Sequence, residues 1–313
     1  MSEKNNKPKI IVILGPTAGG KSDIAVSLAL RLRSGQAKKF NGEIISADSR
    51  QVYKNLDIGT GKITKKEMRG VPHYLLNVCS PKFRFTASDF KKRAEEAIEK
   101  ILKKNKTPII CGGTGFYIDA LLGDKVIPEV PPNLKLREEL EVETTEALFE
   151  ILKKLDPERA KNIDIKNPRR LVRAIEICKA LGPNSASRFA QNLNYKESKY
   201  NVLKIGIKID EKELKNRINK RIEKWFRQGL LKEVSNLHKK GLTWKRMAEI
   251  GLEYKIVALF LQNKITKSEM VEGMQNETWQ YAKRQMTYFR KAKDTIWMPP
   301  KISLVEKEVR KFL

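Results

Sequence analysis

A glycine-rich segment near the N-terminus constrains the fold of this chain more than any other feature. Residues 15–22 (GPTAGGKS) match the phosphate-binding pattern G-x-x-x-x-G-K-[ST]. The segment follows an apolar run, residues 10–14, and it opens a helical pattern, residues 22–33. The backbone N–H groups of such a loop surround phosphate oxygens, and the helix N-terminus adds partial positive charge. We therefore predict a strand–loop–helix unit that binds a phosphate compound, and not a glycine-rich turn without a ligand.

Short apolar runs and helical patterns alternate along the first 123 residues. Strand-like runs cover residues 10–14, 43–47 and 108–111, and helical patterns cover residues 22–33, 90–103 and 117–122. Alternation of this kind predicts a parallel sheet covered by helices. Another alternating run, residues 202–209, predicts that the chain returns to the sheet before its last helices. The expected fold class is α/β, with a P-loop NTPase-like parallel sheet flanked by helices.

The middle of the chain has a different pattern. Pro128, Pro131 and Pro132 indicate a linker, because proline fixes the backbone and donates no hydrogen bond. Apolar residues then recur at helical spacing, for example at Leu148 and Leu152. We predict a catalytic core made of residues 1–123 and 201–313, with residues 124–200 as a mostly helical insertion domain.

Positive charge dominates the composition. The chain of 313 residues has 64 Lys and Arg against 37 Asp and Glu, a formal net charge of +27, and 40% of its residues are hydrophobic. The hydrophobic content excludes a disordered tail, and the charge predicts a polyanionic partner. The excess of basic residues lies in both 1–123 and 201–313, so it is not a single basic tail.

Other classes of protein are disfavoured. The apolar run 10–14 is far shorter than the ~20 residues of a membrane span, so we expect a cytoplasmic protein with no membrane segment. Cys79, Cys111 and Cys178 lack the spacing of a metal site and are odd in number, so we expect reduced thiols.

Asp48 is the first candidate for a reacting group. It follows the predicted strand 43–47, where a nucleotide hydrolase usually has a second carboxylate for Mg²⁺. Asp48 is therefore either a metal-shell carboxylate or a general base beside the loop, unless it only caps the strand end. The strand 108–111 is followed by small residues at 112–115, where a backbone or a base can approach closely.

Arg217 and Arg221 form a second candidate group. They are four residues apart in a helical pattern, which puts their side chains on one face about 6 Å apart. Two guanidinium groups at that spacing suit a diphosphate. The alternative is a solvated basic face of the helix.

Several separated motifs of the chain resemble those of the tRNA dimethylallyltransferase (IPP transferase) family. The resemblance covers nearly the whole chain, whereas a generic P-loop kinase shares only the first motif. The motifs are GPTAGGKS (15–22), DSRQVY (48–53), DIGTGK (57–62), VPHYL (71–75), GGTGFY (112–117), NPRRLVRAIE (167–176) and AKRQMTYFR (282–290).

The resemblance implies a transferase that moves a dimethylallyl group from dimethylallyl diphosphate to N6 of adenosine 37, next to the anticodon of tRNA. Diphosphate is then the leaving group and no ATP is consumed. By this resemblance Asp48 is the general base, Lys21 and Arg217 act on the leaving group, and Ser22 binds Mg²⁺ as the cofactor. The expected diphosphate-binding residues are Gly15, Pro16, Thr17, Ala18, Gly19, Gly20, Lys21, Ser22, Arg217 and Arg221.

The resemblance also implies which residues bind tRNA, several of them in the insertion domain. It implies no protein partner, and we expect a monomer. The expected tRNA contacts are Asp48, Ser49, Arg50, Gln51, Thr114, Arg137, Arg169, Arg170, Arg173, Lys283 and Arg284, together with residues 247–254.

Two rival hypotheses remain. A P-loop kinase or ATPase that binds RNA only through its charge predicts ATP turnover that is insensitive to dimethylallyl diphosphate. A non-catalytic RNA-binding module would retain the loop without using it, but Lys21, Ser22 and Asp48 are intact.

Overall fold

A single parallel sheet organises the part of the chain that the structure describes. The computed structural model describes residues 7–34, 41–125, 127–191 and 198–313. The strands are β1 (Lys9–Leu14), β2 (Asn41–Ser46), β3 (His73–Tyr74), β4 (Lys106–Gly112), β5 (Asn201–Ile207) and β6 (Thr295–Met298). Their order in the sheet is β3-β2-β4-β1-β5-β6, and every neighbouring pair is parallel. The predicted α/β class with a parallel sheet is confirmed.

The strand that precedes the glycine-rich loop lies inside the sheet. β1 pairs with β4 through Ile11 and Ile109, and with β5 through Ile11 and Leu203. Residues 10–13 have no exposed surface. A strand buried on both faces is typical of a sheet covered by helices, and it reads as a continuous apolar run.

Helices follow or precede most strands. They are α1 (Lys21–Ser34), α2 (Lys65–Met68), α3 (Ala87–Leu102), α4 (Gly115–Leu122), α5 (Leu134–Glu141), α6 (Thr145–Leu155), α7 (Pro157–Lys161), α8 (Pro168–Leu181), α9 (Ser185–Gln191), α10 (Glu211–Gln228), α11 (Leu230–Lys239), α12 (Trp244–Ile250), α13 (Leu252–Leu261), α14 (Lys267–Phe289) and α15 (Ile302–Phe312). Among the described residues, none of these helices combines the length and the apolar character needed to cross a bilayer.

Local signals account for several of these boundaries. α3 begins earlier than the predicted pattern 90–103, because Thr86 and Asp89 form a reciprocal capping box at its N-terminus. α10 ends at Gln228, because the next residue, Gly229, has a φ of 95° and adopts the left-handed conformation that favours glycine after a helix end. β5 ends at Ile207, two residues before the predicted run 202–209 ends.

The chain divides into two compact units. One unit contains residues 1–121 and 199–313, and the other contains residues 122–198. The second unit includes α5 to α9, and its core is formed by Leu148, Leu152, Leu171 and Ile175, which are almost completely buried. Leu148 and Leu152 are the residues whose spacing predicted helices in this part of the sequence.

Candidate active site

The carboxyl ends of three neighbouring strands meet at one edge of the sheet. Leu14 at the end of β1 is in register with Gly112 of β4, and Ser46 at the end of β2 is in register with Cys111. The loops that follow these strands therefore lie side by side, as in other open α/β sheets, where ligands bind at this edge.

A cavity of about 760 Å³ opens at this edge. It unites residues that are far apart in sequence and of different chemistry. The lining includes Thr17, Lys21, Ser22, Asp48, Gln51, Thr60, Gly61, Arg217, Arg221, Tyr281 and Gln285. The sequence-predicted residues of the loop from Thr17 to Ser22, Asp48 and both arginines thus share one cavity, whereas Gly15 and Pro16 do not line it.

Lys21 lies against the loop that it terminates. Its Nζ donates to the carbonyl oxygen of Pro16 at 2.6 Å. Burial lowers the pKa of Lys21 to about 8, against the opposing effects of Cys111 and Asp48. The cavity therefore contains a lysine whose charge depends on pH near neutrality, and which a bound anion would stabilise in its charged form.

The two arginines of α10 occupy different environments in the cavity. Arg221 Nη1 donates to Thr17 Oγ1 at 3.1 Å, and its guanidinium lies 5.4 Å from the centre of the Trp225 ring. Burial lowers the pKa of Arg221, although an arginine remains charged. Arg217 is paired with Glu213 at 2.7 Å, and its side chain is 39% exposed. Arg221 thus contacts the phosphate loop directly, and Arg217 lies at the more open side.

The loop from Asp57 to Lys62 forms one wall of the cavity, and Glu233 holds it. The Glu233 carboxylate accepts hydrogen bonds from the backbone N–H groups of Asp57, Ile58 and Gly59 at 2.8 to 3.1 Å. It also accepts one from Tyr254 Oη at 2.8 Å. Glu233 was not predicted from the sequence, because a glutamate in an amphipathic helix does not indicate which backbone groups it binds.

The close approach between this loop and Arg221 requires a glycine. A Cβ on Gly61 would lie 2.7 Å from Arg221 Nη2, and Gly61 has a φ of +56°. Gln51 contacts the same loop, because its Nε2 donates to the carbonyl oxygens of Thr60 and Gly61 at 3.4 and 3.3 Å. The wall, Gln51 and Arg221 therefore form one packed group.

Asp48 begins the turn that follows β2. Its Oδ1 accepts from the backbone N–H groups of Arg50 at 2.8 Å and Gln51 at 3.3 Å. Both hydrogen bonds fix the carboxylate, and since both use Oδ1, Asp48 can accept a proton on Oδ2 without breaking either. Ser49 contacts the next loop, because its N–H donates to Thr114 Oγ1 at 3.0 Å. Ser49, Arg50 and Thr114 do not line the cavity.

Gln285 joins the phosphate loop to the loop after β4. Its Oε1 accepts from Thr17 N–H and its Nε2 donates to the Gly113 carbonyl oxygen, both at 2.8 Å. A Cβ on Gly113 would lie 2.3 Å from Gln285 Nε2, so this contact needs glycine. Gln285 is 7% exposed, and it interrupts a buried stripe of α14 that includes Ala282 and Phe289. A glutamine within an apolar stripe is a sequence signal for a buried polar contact.

Two more titratable groups, Glu253 and Tyr281, interact electrostatically with Asp48. Burial raises the pKa of Glu253 to about 7, with Arg50 and Arg221 opposing the shift and Asp48 adding to it. Burial also raises the pKa of Tyr281, and Asp48 adds to this shift. Tyr281 was not predicted from the sequence as a site residue, whereas Glu253 lies within the segment 247–254 that was expected to contact tRNA. The negative charge of Asp48 therefore raises the pKa of both neighbours, Glu253 and Tyr281, in a poorly solvated region.

Ser22 is the one predicted metal ligand. It is exposed and lines the cavity at the start of α1. Among the described residues there is no group of three or more His, Cys, Asp and Glu side chains that could hold a metal ion. The donor set fits Mg²⁺ that is held mainly by phosphate oxygens and water, with one hydroxyl from the protein.

The predicted tRNA-binding arginines of the second unit differ in their contacts. Arg137 and Arg173 both bind Glu176, which is 1% exposed. Arg169 and Arg170 are exposed at the start of α8. In the first unit, Lys283 and Arg284 are exposed on α14, and Lys283 Nζ lies 5.7 Å from the centre of the Trp279 ring.

Comparison with known proteins identifies the family. A family model described as "IPP transferase" matches residues 51–292. The chain belongs to the IPP transferase family. It is 37% identical over 292 residues to the tRNA dimethylallyltransferase of Halothermothrix orenii, an alignment that covers 92% of this chain and 86% of that protein. It is 39% identical over 300 residues to that of Staphylococcus haemolyticus, covering 93% and 87%.

Solved structures are similar over most of the chain. The tRNA isopentenylpyrophosphate transferase of Bacillus halodurans is 32% identical with a TM-score of 0.71, covering 98% of this chain and 95% of that one. A eukaryotic dimethylallyltransferase described as acting on tRNA is 27% identical with a TM-score of 0.78, covering 94% and 74%. The resemblance seen in the separated sequence motifs is confirmed.

Proposed function

We propose that this protein transfers the dimethylallyl group of dimethylallyl diphosphate to N6 of adenosine 37 in tRNA and releases diphosphate. The names of the relatives and the family support the reaction. The structural observation that supports this reaction is that Lys21, Arg217 and Arg221, which suit a diphosphate, line the same cavity as the carboxylate of Asp48. Its volume of about 760 Å³ is within the ~300–1,000 Å³ range of ligand pockets.

The phosphate loop, Lys21, Arg217 and Arg221 are proposed to bind the diphosphate. Negative charge grows on the leaving group as its oxygen separates from C1 of the dimethylallyl group. Fixed N–H groups and cations then bind the transition state more strongly than the substrate, and this difference accelerates the reaction. The hydrogen bond from Arg221 Nη1 to Thr17 Oγ1 keeps one guanidinium beside the phosphate loop before the substrate binds.

Asp48 is proposed to accept the proton of the attacking amine. N6 of adenine forms the bond to C1, the bond from C1 to diphosphate breaks, and the proton of N6 passes to Asp48 Oδ2. The two backbone hydrogen bonds to Oδ1 hold the carboxylate still during this transfer.

Ser22 is proposed as the protein ligand of Mg²⁺, together with diphosphate oxygens. When bound, Mg²⁺ supplies positive charge for the leaving group.

We further propose that exposed basic side chains bind tRNA. Arg169, Arg170, Lys283 and Arg284 are exposed and suit phosphates, whereas contacts of Arg137 and Arg173 with tRNA stay predictions.

The proposal is tested by incubating the purified protein and Mg²⁺ with dimethylallyl diphosphate and an unmodified tRNA, then digesting the RNA for nucleoside mass spectrometry. We expect N6-(dimethylallyl)adenosine, and none from a matched tRNA with guanosine at position 37. A parallel reaction with ATP replaces the prenyl donor. Phosphate release from ATP without modified adenosine in the first reaction would contradict the proposal and favour a P-loop kinase or ATPase.

A further inference from the structure

Phe83 is an aromatic side chain that the fold leaves unpacked. It is 69% exposed, whereas Phe85 packs edge-on against Tyr117 with 6.4 Å between the ring centres. Single exposed apolar side chains are common on protein surfaces, so exposure alone carries no conclusion. Two further features distinguish Phe83: its backbone is held by hydrogen bonds, and exposed basic side chains lie beside it in the sequence.

Arg246 fixes the backbone on both sides of this ring. Its Nε donates to the Pro81 carbonyl oxygen at 2.8 Å, and its Nη2 donates to the Phe83 carbonyl oxygen at 2.7 Å. The N–H of Phe83 donates to the Ser80 carbonyl oxygen at 3.1 Å. Arg246 is itself paired with Glu249 at 3.0 Å. The ring is therefore presented to solvent by an ordered turn, which lowers the entropy cost of binding to it.

The surroundings of Phe83 are basic. Lys82 and Arg84 flank it in the sequence and are both exposed. The Arg84 side chain is 53% exposed and pairs with Glu249 at 3.3 Å, while the Arg246 guanidinium lies beneath the turn. An aromatic ring between cations is the arrangement on which unpaired bases stack while phosphates meet the charges.

A short chain of contacts joins this turn to Asp48. Glu249 is paired with Arg84, and its carbonyl oxygen accepts from Arg50 Nη1 at 3.3 Å. The N–H of Arg50 in turn donates to Asp48 Oδ1 at 2.8 Å. Two residues, Glu249 and Arg50, therefore connect the turn that carries Phe83 to Asp48, the residue proposed to meet the attacking nucleotide.

We propose that Phe83 is a stacking platform for an unpaired base of the tRNA substrate, with Lys82 and Arg84 beside the adjacent phosphates. The inference rests on the proposed function for the identity of the RNA. The charge complementarity of the turn favours RNA over an apolar protein partner.

The test measures binding of an unmodified anticodon stem–loop RNA without any prenyl donor. Phe83→Ala is expected to raise the Kd about 5- to 100-fold, whereas Phe83→Tyr, which keeps the aromatic face, is expected to stay within about twofold. Leu304→Ala removes another exposed apolar side chain, on α15, and is the matched control that leaves the Kd unchanged.

Salt dependence separates stacking from charge. Phe83→Ala should leave the slope of log Kd against log salt unchanged, because a phenyl ring displaces no counterions. Arg84→Ala should lower the slope by about one unit. A Phe83→Ala variant that binds RNA as tightly as the Leu304→Ala control would overturn the proposal. If Phe83→Ala instead alters self-association of the protein, the turn binds a second copy of the chain and the proposal also fails.

This readout is separate from the reaction. If the wild-type protein binds the stem–loop through Phe83 but transfers no dimethylallyl group, the proposed function fails and the platform stands. If transfer occurs and Phe83→Ala changes neither the Kd nor the KM for tRNA, the platform fails and the proposed function stands.

Discussion

Replacement of Gln285 by glutamate tests how the phosphate loop is held. The change keeps the length of the side chain and the oxygen that accepts from Thr17 N–H. It replaces the Nε2 donor by a second oxygen, which would face the Gly113 carbonyl oxygen across the present 2.8 Å. Two acceptors cannot share that contact, so the side chain has to move and release Thr17.

The size of the effect follows from the burial of this contact. Gln285 is 7% exposed, so water does not readily replace the lost donor. A buried carbonyl left without a partner costs ~1–3 kcal/mol, and each 1.4 kcal/mol is a factor of ten. We therefore expect Gln285→Glu to lower kcat/KM for dimethylallyl diphosphate about 5- to 150-fold, and to lower the free energy of unfolding by about 1–3 kcal/mol.

Steady-state kinetics with each substrate varied in turn, together with urea denaturation, measure these effects. Gln280→Glu makes the same charge change on an exposed position of α14 and is the matched control. The KM for tRNA should change less than the KM for the prenyl donor, because the contact holds the phosphate loop. Equal kinetics and equal stability of the two variants would refute the assignment of Gln285 as the residue that positions the loop.

Three further predictions concern the walls of the cavity. Because the pKa of Lys21 is about 8 in the free protein, its charge is lost as pH rises through that value, so the KM for dimethylallyl diphosphate should rise between pH 7 and pH 9. Lys21→Arg should abolish that rise, and a rise that persists would exclude Lys21 as its cause. Glu233→Gln puts an amide donor among backbone donors and should lower kcat/KM for the prenyl donor about tenfold, with Glu223→Gln on α10 as the exposed control. Identical kinetics of these two variants would mean that the loop does not need Glu233. Arg217→Ala should raise the KM for the prenyl donor about tenfold, and an unchanged KM and kcat would leave Arg217 as an exposed partner of Glu213.

The phosphate loop could be predicted because its signal is local. The glycines, Lys21 and Ser22 are contiguous, and the strand before them and the helix after them have clear periodicities. The alternation of strands and helices was sufficient to predict a parallel sheet. Two strands were not predicted, because β3 has only two residues and β6 has four, which is too few for a periodic pattern.

Contacts between distant residues could not be predicted in the same way. Gln285 is 268 residues from Thr17 and 172 from Gly113, so its partners follow only from the assembled sheet. The same holds for Glu233, whose carboxylate binds a backbone segment 174 to 176 residues away. The sequence predicted that Arg217 and Arg221 share a face, but it could not predict that Arg221 lies against Gly61 and Trp225, since Gly61 is far from Arg221 along the chain.

One cavity is proposed to hold both the cations that bind the diphosphate and Asp48, which accepts the proton of N6. Single-turnover transfer by Asp48→Asn, compared with the wild type, tests this proposal most directly. We expect a rate constant lower by about 10²- to 10⁴-fold, with little change in the Kd for dimethylallyl diphosphate or tRNA, because the asparagine oxygen can still accept from the two backbone N–H groups. A near-normal rate constant for this variant would contradict the proposal.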